Sequence, residues 1–375
     1  MKNDRNLFVT TIVLVFFGLV MVYSASSVKA ELQYGSSTYF VARQAFWVLA
    51  SVAAMMLLKR THYKRLQQPA VAFGAIGIVI VLLFIVYFAG DRNHRWLRLG
   101  LINIQPAEIA KPAIVVFLAY FVAQRVRAIN NRHTLWPAAM AVGLVTIGVG
   151  IPDLGTAVVL GITAVVVFFL AGLEVRYCAV LLAIAGLGVT GLVVSKPYRL
   201  KRVWMYFDRD YAMLTRLDAT GRVKAYMQKS MTSTDTNYQA EQSKIAVGAG
   251  GPTGLGLMQG KQKLLYLPEA HTDFIYAVIG EETGLFGTIG VLIGFGVVLW
   301  RGLRTATRAP DDFGKFLAIG ITTLIVAQAF INMSVVLAMA PTKGIPLPMI
   351  SFGGNSLLST LSLMGMLMNV SENAG

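Results

Sequence analysis

Charge is scarce in this sequence. Of 375 residues only 14% are Asp, Glu, Lys or Arg, and 56% are hydrophobic. A soluble domain carries about 25% charged residues. The composition therefore excludes an ordinary soluble globular protein and indicates a polytopic membrane protein. Cysteine is almost absent. The single Cys178 lies in an apolar run, cannot form an internal disulfide, and reads as a small buried hydrophobe. With one cysteine and four histidines there is no zinc-ligand spacing. No Gly-x-x-x-x-Gly-Lys-Ser/Thr loop is present, and Gly248–Gly260 does not match one, so ATP is not expected. A cleavable signal is not visible either. The run from Leu7 to Tyr23 is too long for a signal core, lacks a convincing cleavage site, and reads as a first spanning helix. There is no internal repeat.

Acid is the scarcer sign, and the net charge is +15. Nucleic acid is set aside as a partner, because the charge is spread among loops and forms no single basic domain. Anionic membrane lipid is the more natural partner.

What the chain has instead is long apolar runs. A hydrocarbon core about 30 Å thick needs roughly 20 apolar residues per helix. Ten segments qualify, at about 7–24, 43–58, 70–89, 106–124, 135–151, 154–173, 178–195, 273–299, 315–338 and 348–370. The stretch 135–173 is nearly continuous but breaks at Ile151-Pro152-Asp153, where proline ends or kinks a helix. The expected fold is all-α, a single membrane domain over 1–375. A large extracytoplasmic loop, about 196–272, is expected between the seventh and eighth spans.

Orientation follows from the excess of Lys and Arg in cytoplasmic loops. With the N-terminus inside, the inner loops hold Lys2, Arg5, Lys59, Arg60, Lys64, Arg65, Arg125, Arg127, Arg132, Arg176, Arg301, Arg304, Arg308 and Lys315. The short outer loops hold only Lys29, Arg43, Arg92, Arg95, Arg98 and Lys343. Both termini are expected in the cytoplasm. The first half of the long loop mixes charge with Trp204, Tyr206, Phe207 and Tyr226, which points to amphipathic helices at the interface. Its second half is glycine-dense from Gly248 and should turn tightly.

On this count the unusual polar residues fall on the outer side. Glu108 and Lys111 share a face in the outer third of the fourth span. Asp153 lies at the mouth of the sixth, and Asp273 at the mouth of the eighth. Lys343 and Ser351-Phe-Gly-Gly-Asn-Ser lie at the mouth of the tenth. Plainer readings stand beside these. Glu108 and Lys111 can be a neutralising pair, Asp153 a helix N-cap, Lys343 an interfacial lysine, and Gly353-Gly354 a close-packing site. A cap alone does not account for Asp273, which follows Pro268-Glu-Ala-His-Thr. His271 orients Asp273 or caps the turn. Glu281 and Glu282 point about 80° and 180° away from Asp273 on a helix, and read as structural or interhelical.

One carboxylate among cations at a lipid boundary fits a definite chemistry. The acid can act as general base on a sugar hydroxyl. The cations can hold a pyrophosphate as it leaves. The residues point to an outer-leaflet site for an anionic lipid-linked substrate. They leave transfer and transport both open.

Lys263-Leu-Leu-Tyr-Leu-Pro-Glu-Ala-His-Thr-Asp-Phe-Ile-Tyr-Ala-Val-Ile-Gly-Glu-Glu-Thr-Gly-Leu closely resembles the signature of the SEDS family (shape, elongation, division and sporulation). So do Ile104-Gln-Pro-Ala-Glu-Ile-Ala-Lys, Pro152-Asp-Leu-Gly-Thr and Pro346-Leu-Pro-Met-Ile-Ser-Phe-Gly-Gly-Asn-Ser. The motifs run in order through nearly the whole chain. Pro341-Thr-Lys-Gly is similar to the family's division member. The resemblance implies a ten-span peptidoglycan glycosyltransferase in the bacterial cytoplasmic membrane, polymerising lipid II at the outer face and releasing undecaprenyl pyrophosphate. It implies a class B penicillin-binding protein, a transpeptidase, as partner, with other divisome proteins around it. Asp273 matches the family's essential aspartate, Glu108 and Lys111 its buried acid and lysine, and Asp153 its outer aspartate. Arg98, Lys343 and basic residues of 196–263 are the candidates for holding pyrophosphate, with His271 and Ser351 beside them. A divalent cation, Mg or Mn, could assist, although no dedicated cage is seen. Ile151 and Asn355 depart from the family's pattern before Pro-Asp-Leu-Gly and after Gly-Gly. The rival readings are a lipid II flippase and a non-enzymatic divisome scaffold.

Overall fold

A computed structural model of the chain describes residues 4–91, 94–99, 102–208 and 236–374, with 218, 223, 226 and 227. Arg92 and most of 209–235 lie outside these described residues. Twelve helices are seen among them: α1 (Arg5–Tyr34), α2 (Tyr39–Arg60), α3 (Pro69–Ala89), α4 (Pro106–Ala123), α5 (Arg132–Gly150), α6 (Leu154–Leu170), α7 (Val175–Val194), α8 (Pro197–Phe207), α9 (Thr236–Gly250), α10 (Ile275–Arg308), α11 (Asp312–Val336) and α12 (Gly354–Asn373). Two short strands, β1 (Leu97–Leu99) and β2 (Ile102–Ile104), pair antiparallel ahead of α4.

A helix stands at each of the ten expected spans, with shifted ends. Eight are long and apolar enough to cross a membrane. Of the other two, α6 has 17 residues, and α12 has 20 but carries Asn355, Ser356, Ser359, Thr360, Ser362 and Asn369. The protein is an integral membrane protein. Its inner helices are α4 and α11, in each of which 78% of the apolar stretch is buried, against 6% for α7 at the periphery. Helix α12 packs closely along α2. Gly365 lies against the Met55 backbone and Gly354 against the Trp47 ring, so neither site has room for a Cβ. The expected amphipathic helix of the long loop is α8.

Helix α10 is not one rod. At Gly284 (φ 65°, ψ −157°) its backbone leaves the helical region. The glycine-dense turn after α9 fills the break. Leu255 N–H donates to Glu281 O at 2.9 Å and Gly256 N–H to Glu282 O at 3.0 Å, while Leu285 N–H donates to Gly251 O at 3.0 Å. Gly254 and Gly284 meet backbone to backbone, where no side chain fits. A buried cluster pins the same turn: Lys263 pairs with Glu282 at 2.5 Å, and Ser24 of α1 donates to the same carboxylate at 2.6 Å.

At the far end of the bundle other pairs tie the helix ends together. Asp4 caps α1 through Leu7 N–H at 3.1 Å, pairs with Arg301 of α10 at 2.8 Å, and accepts Ser371 Oγ of α12 at 3.0 Å. Asn369 of α12 accepts Tyr63 N–H at 2.8 Å and donates to Lys59 O at 2.6 Å. Lys59 pairs with Glu372 at 3.2 Å.

Candidate active site

Asp153 occupies the N-cap of α6, as a short polar residue before an apolar helix should. Its Oδ1 accepts the N–H groups of Gly155 and Thr156, both at 3.1 Å. Its Oδ2 is held by Arg95 at 3.0 Å, with the Gln105 amide at 3.5 Å. The cap reading is therefore correct, and it leaves the carboxylate fully engaged.

Asp273 is placed differently. It sits just ahead of α10, and its main-chain carbonyl accepts Asn332 Nδ2 of α11 at 2.7 Å. Its carboxylate has no hydrogen-bond or ion-pair partner among the described residues. Gly344 packs directly against it, and a Cβ there would collide with Oδ2. Burial drives the Asp273 carboxyl up from 3.8 to about 6. Arg95 and Arg202 pull it back, while Glu269 and Asp153 push it further.

Both aspartates line one cavity of about 620 Å³, with Arg95, Arg199, Arg202, Glu269 and Lys343 among its other walls. Lys343 lies against Gly155 at the start of α6. Burial pushes its ammonium down from 10.5 to about 7, against the pull of Asp153. Arg199 is spent on structure: it donates to Gly150 O at 3.1 Å, Ile151 O at 2.6 Å and Leu192 O at 3.2 Å. It thereby fixes the Ile151-Pro152-Asp153 turn. Arg202, one helical turn on, stacks over Tyr198 and has no hydrogen-bond or salt-bridge partner among the described residues. Burial lowers its pKa, with Asp273 among the charges that oppose this.

Of the eight candidates read from the sequence, Asp273, Asp153 and Lys343 line this cavity. The other five do not. Arg98 is exposed on β1, whereas Arg95 lines the cavity and pairs with Asp153. Glu108 and Lys111 form a buried pair at 2.7 Å inside the bundle, and Ser359 of α12 donates to Glu108 O at 2.8 Å. His271 is buried between the rings of Phe40 and Phe352, at 4.8 and 5.6 Å, and its carbonyl accepts Phe352 N–H at 3.0 Å. Burial, and Lys29 after it, hold its imidazole down from 6.5 to about 4, so it is neutral at pH 7. Ser351 donates to Thr272 O at 2.5 Å and accepts Leu347 N–H at 2.8 Å. His271 and Ser351 thus brace the 269–274 turn that presents Asp273. Glu281 and Glu282 face the 251–263 turn, as structural residues should, although Asp273 precedes α10 and no helix angle relates it to them.

Sequence reasoning gave no site role to Arg95, and among the basic residues of 196–263 it singled out neither Arg199 nor Arg202. The last two were readable as an i, i+3 basic pair on an amphipathic helix. Nothing in the sequence chose Arg95 over Arg98.

A helical membrane bundle with an unpaired acid and unpaired cations in one cleft defines a class: a polytopic membrane protein with a built site for an anionic ligand. The comparisons carry this further. A family model described as "Cell cycle protein", covering FtsW, RodA and SpoVE, matches residues 4–375, and the chain belongs to this family. It is 37% identical to the probable peptidoglycan glycosyltransferase FtsW of Geobacter metallireducens, over 99% of this chain and 95% of that one. It is 36% identical to stage V sporulation protein E of Bacillus subtilis, over 98% of this chain and 97% of that one. Among solved structures it is similar to a chain of a peptidoglycan synthase complex described as coordinating polymerization and crosslinking. The TM-score is 0.76 and the identity 26%, covering 100% of this chain and 99% of that chain. The rod shape determining protein RodA of Thermus thermophilus shares the fold, with TM-score 0.69 at 23% identity, covering 100% of this chain and 98% of that one.

Proposed function

We propose that this chain is a peptidoglycan glycosyltransferase that polymerises lipid II at the outer face of the cytoplasmic membrane during septal wall synthesis. The names of its relatives over nearly full length support the activity. One observation carries the mechanism: the Asp273 carboxylate is unpaired, pushed up to about 6, and shares a cavity with Lys343 and Arg202. A base with a pKa near the working pH is best suited to take a proton in the transition state.

In this reading Asp273 takes the proton of the acceptor GlcNAc 4-hydroxyl. That oxygen forms the new bond to the anomeric carbon of the lipid-linked MurNAc. The bond from that carbon to the pyrophosphate oxygen breaks, the configuration inverts, and undecaprenyl pyrophosphate departs. Lys343 and Arg202 offset the charge it gains, and Arg95 holds the Asp153 carboxylate at the start of α6. Asp273 is also an unengaged donor for a divalent cation such as Mg or Mn. Such ions commonly bind through one or two carboxylates plus substrate phosphates. No step of the reading runs through it.

The cleft faces outward, with both termini in the cytoplasm, by the lysine and arginine bias of the loops. A class B penicillin-binding protein is the proposed crosslinking partner, in keeping with the synthase complex that the chain resembles. Flipping is less well supported, because among the described residues the buried charges Glu108 and Lys111, Glu282 and Lys263, and Asp4 and Arg301 are tied to one another. The test is lipid II polymerisation by the purified chain with its partner. Asp273→Asn should cut polymerisation by about 10²–10⁴-fold while the protein stays folded; polymerisation at the wild-type rate would refute the assignment.

A further inference from the structure

A second cavity, of about 480 Å³, opens at the end of the bundle away from the cleft. It lies where α2 and α12 finish. Lys59 and Arg60 supply its positive groups, His62 adds an imidazole, and Glu372 is the one acid in its lining. Glu372 is neutralised by Lys59 at 3.2 Å. Asn369, also in the lining, spends both ends of its amide on the backbone of Tyr63 and Lys59. Arg60 is exposed and has no hydrogen-bond or ion-pair partner among the described residues. His62 Nδ1 accepts Lys64 N–H at 3.3 Å, which puts the ring proton on Nε2. The pocket therefore offers a guanidinium and an imidazole N–H beside a pair already balanced. That donor set suits a phosphate group.

The surface leading to Arg60 says which phosphate. From Phe46 to Arg60 the exposed residues of α2 are Phe46, Leu49, Ala53, Leu57 and Arg60. Their spacing of three and four places them on one face of the helix. Phe46, Leu49 and Leu57 are 66%, 73% and 67% exposed, so nothing among the described residues covers this stripe. From Leu49 to Arg60 it runs about 16 Å, at 1.5 Å per residue. One leaflet of the hydrocarbon core is about 15 Å deep. An apolar strip one acyl chain long, ending in an unpaired guanidinium, matches a phospholipid and not a free anion.

We infer that the α2–α12 pocket is a binding site for the headgroup of an anionic phospholipid, whose acyl chain lies along the Phe46–Leu57 stripe. The site is independent of the glycosyltransferase reading.

The test is the melting temperature of the purified full chain in detergent. The probes are phosphatidylglycerol vesicles, phosphatidylcholine vesicles and inorganic phosphate. Wild type should gain stability from phosphatidylglycerol, and neither from phosphatidylcholine nor from phosphate. Arg60→Gln should lose at least half of that gain and melt as wild type does without lipid. Arg132→Gln removes the same charge from another loop and should keep the gain. Equal losses in the two variants would reduce the effect to diffuse charge and overturn the site. Equal protection by inorganic phosphate would overturn the lipid assignment. So would protection by an acidic peptide in place of the vesicles, which would give the face to a protein partner.

Discussion

The charges of this molecule fall into two groups. Among the described residues the buried charges of the bundle are paired: Glu108 with Lys111, Lys263 with Glu282 and, at the far end, Asp4 with Arg301. In the cleft, Asp273, Lys343 and Arg202 share one cavity with none of their charged groups tied. Burial costs a charge several kcal/mol unless it is paired. The bundle avoids that cost by pairing. The cleft bears it, and the raised acid and lowered lysine are its visible result. A substrate carrying a hydroxyl and a pyrophosphate would supply what each group lacks.

This contrast can be broken in four places. The largest effect belongs to Asp273→Asn, which should cut polymerisation by about 10²–10⁴-fold. The same change should stabilise the fold. The folded protein holds the Asp273 proton more tightly than the unfolded chain does, so ionisation removes stability as pH rises from 3.8 through about 6. The variant should melt higher than wild type at pH 8 and match it at pH 4. A lower melting point at pH 8 would mean that the carboxylate is paired after all.

Next comes the bundle. Lys111→Met should destabilise by about 3–5 kcal/mol, because it strands Glu108 in a dry interior. The double change Glu108→Leu with Lys111→Met should recover most of the loss. Thermal unfolding in detergent reads both. A single variant that melts normally yet fails to polymerise would move the pair from scaffold to chemistry.

The pH profile of kcat/KM is a smaller, sharper test. Activity should rise as Asp273 ionises near pH 6 and fall as Lys343 loses its proton near pH 7. Lys343→Arg, which stays charged, should remove the alkaline limb and leave the acid limb in place. The smallest effect distinguishes two neighbours. Arg98→Gln should leave the rate within about twofold, whereas Arg95→Gln frees Asp153 and should cost about tenfold or more, in the range of a lost charged hydrogen bond.

Much of this was legible before any coordinates. Asp153, Asp273 and Lys343 are far apart in the chain, yet counting spans put them on one side, and they do line one cavity. Glu281 and Glu282 do face away to the 251–263 turn, but not by the helix angle, because Asp273 precedes α10. What stayed hidden was long-range. Gly284 looks like any glycine in an apolar run, and only the turn at 251–256 reveals that the helix stops there. Lys263 and Glu282 are 19 residues apart with a turn between them, and no periodicity joins them. The choice between Arg95 and Arg98 depends on how the chain enters β1, which composition does not encode.

The break at Gly284 also decides what the Asp273 carboxylate feels. As an unbroken rod, α10 would be 34 residues and about 51 Å long, and any change in its tilt would swing Asp273. Spanning helices do tilt when bilayer thickness changes. Here the piece next to Asp273 is only Ile275–Thr283, held by the 251–263 turn, by Asn332 and by the 269–274 turn. The spanning piece can therefore rock beneath a carboxylate that stays in register with its cleft, much as a gimbal keeps a compass level on a rolling deck.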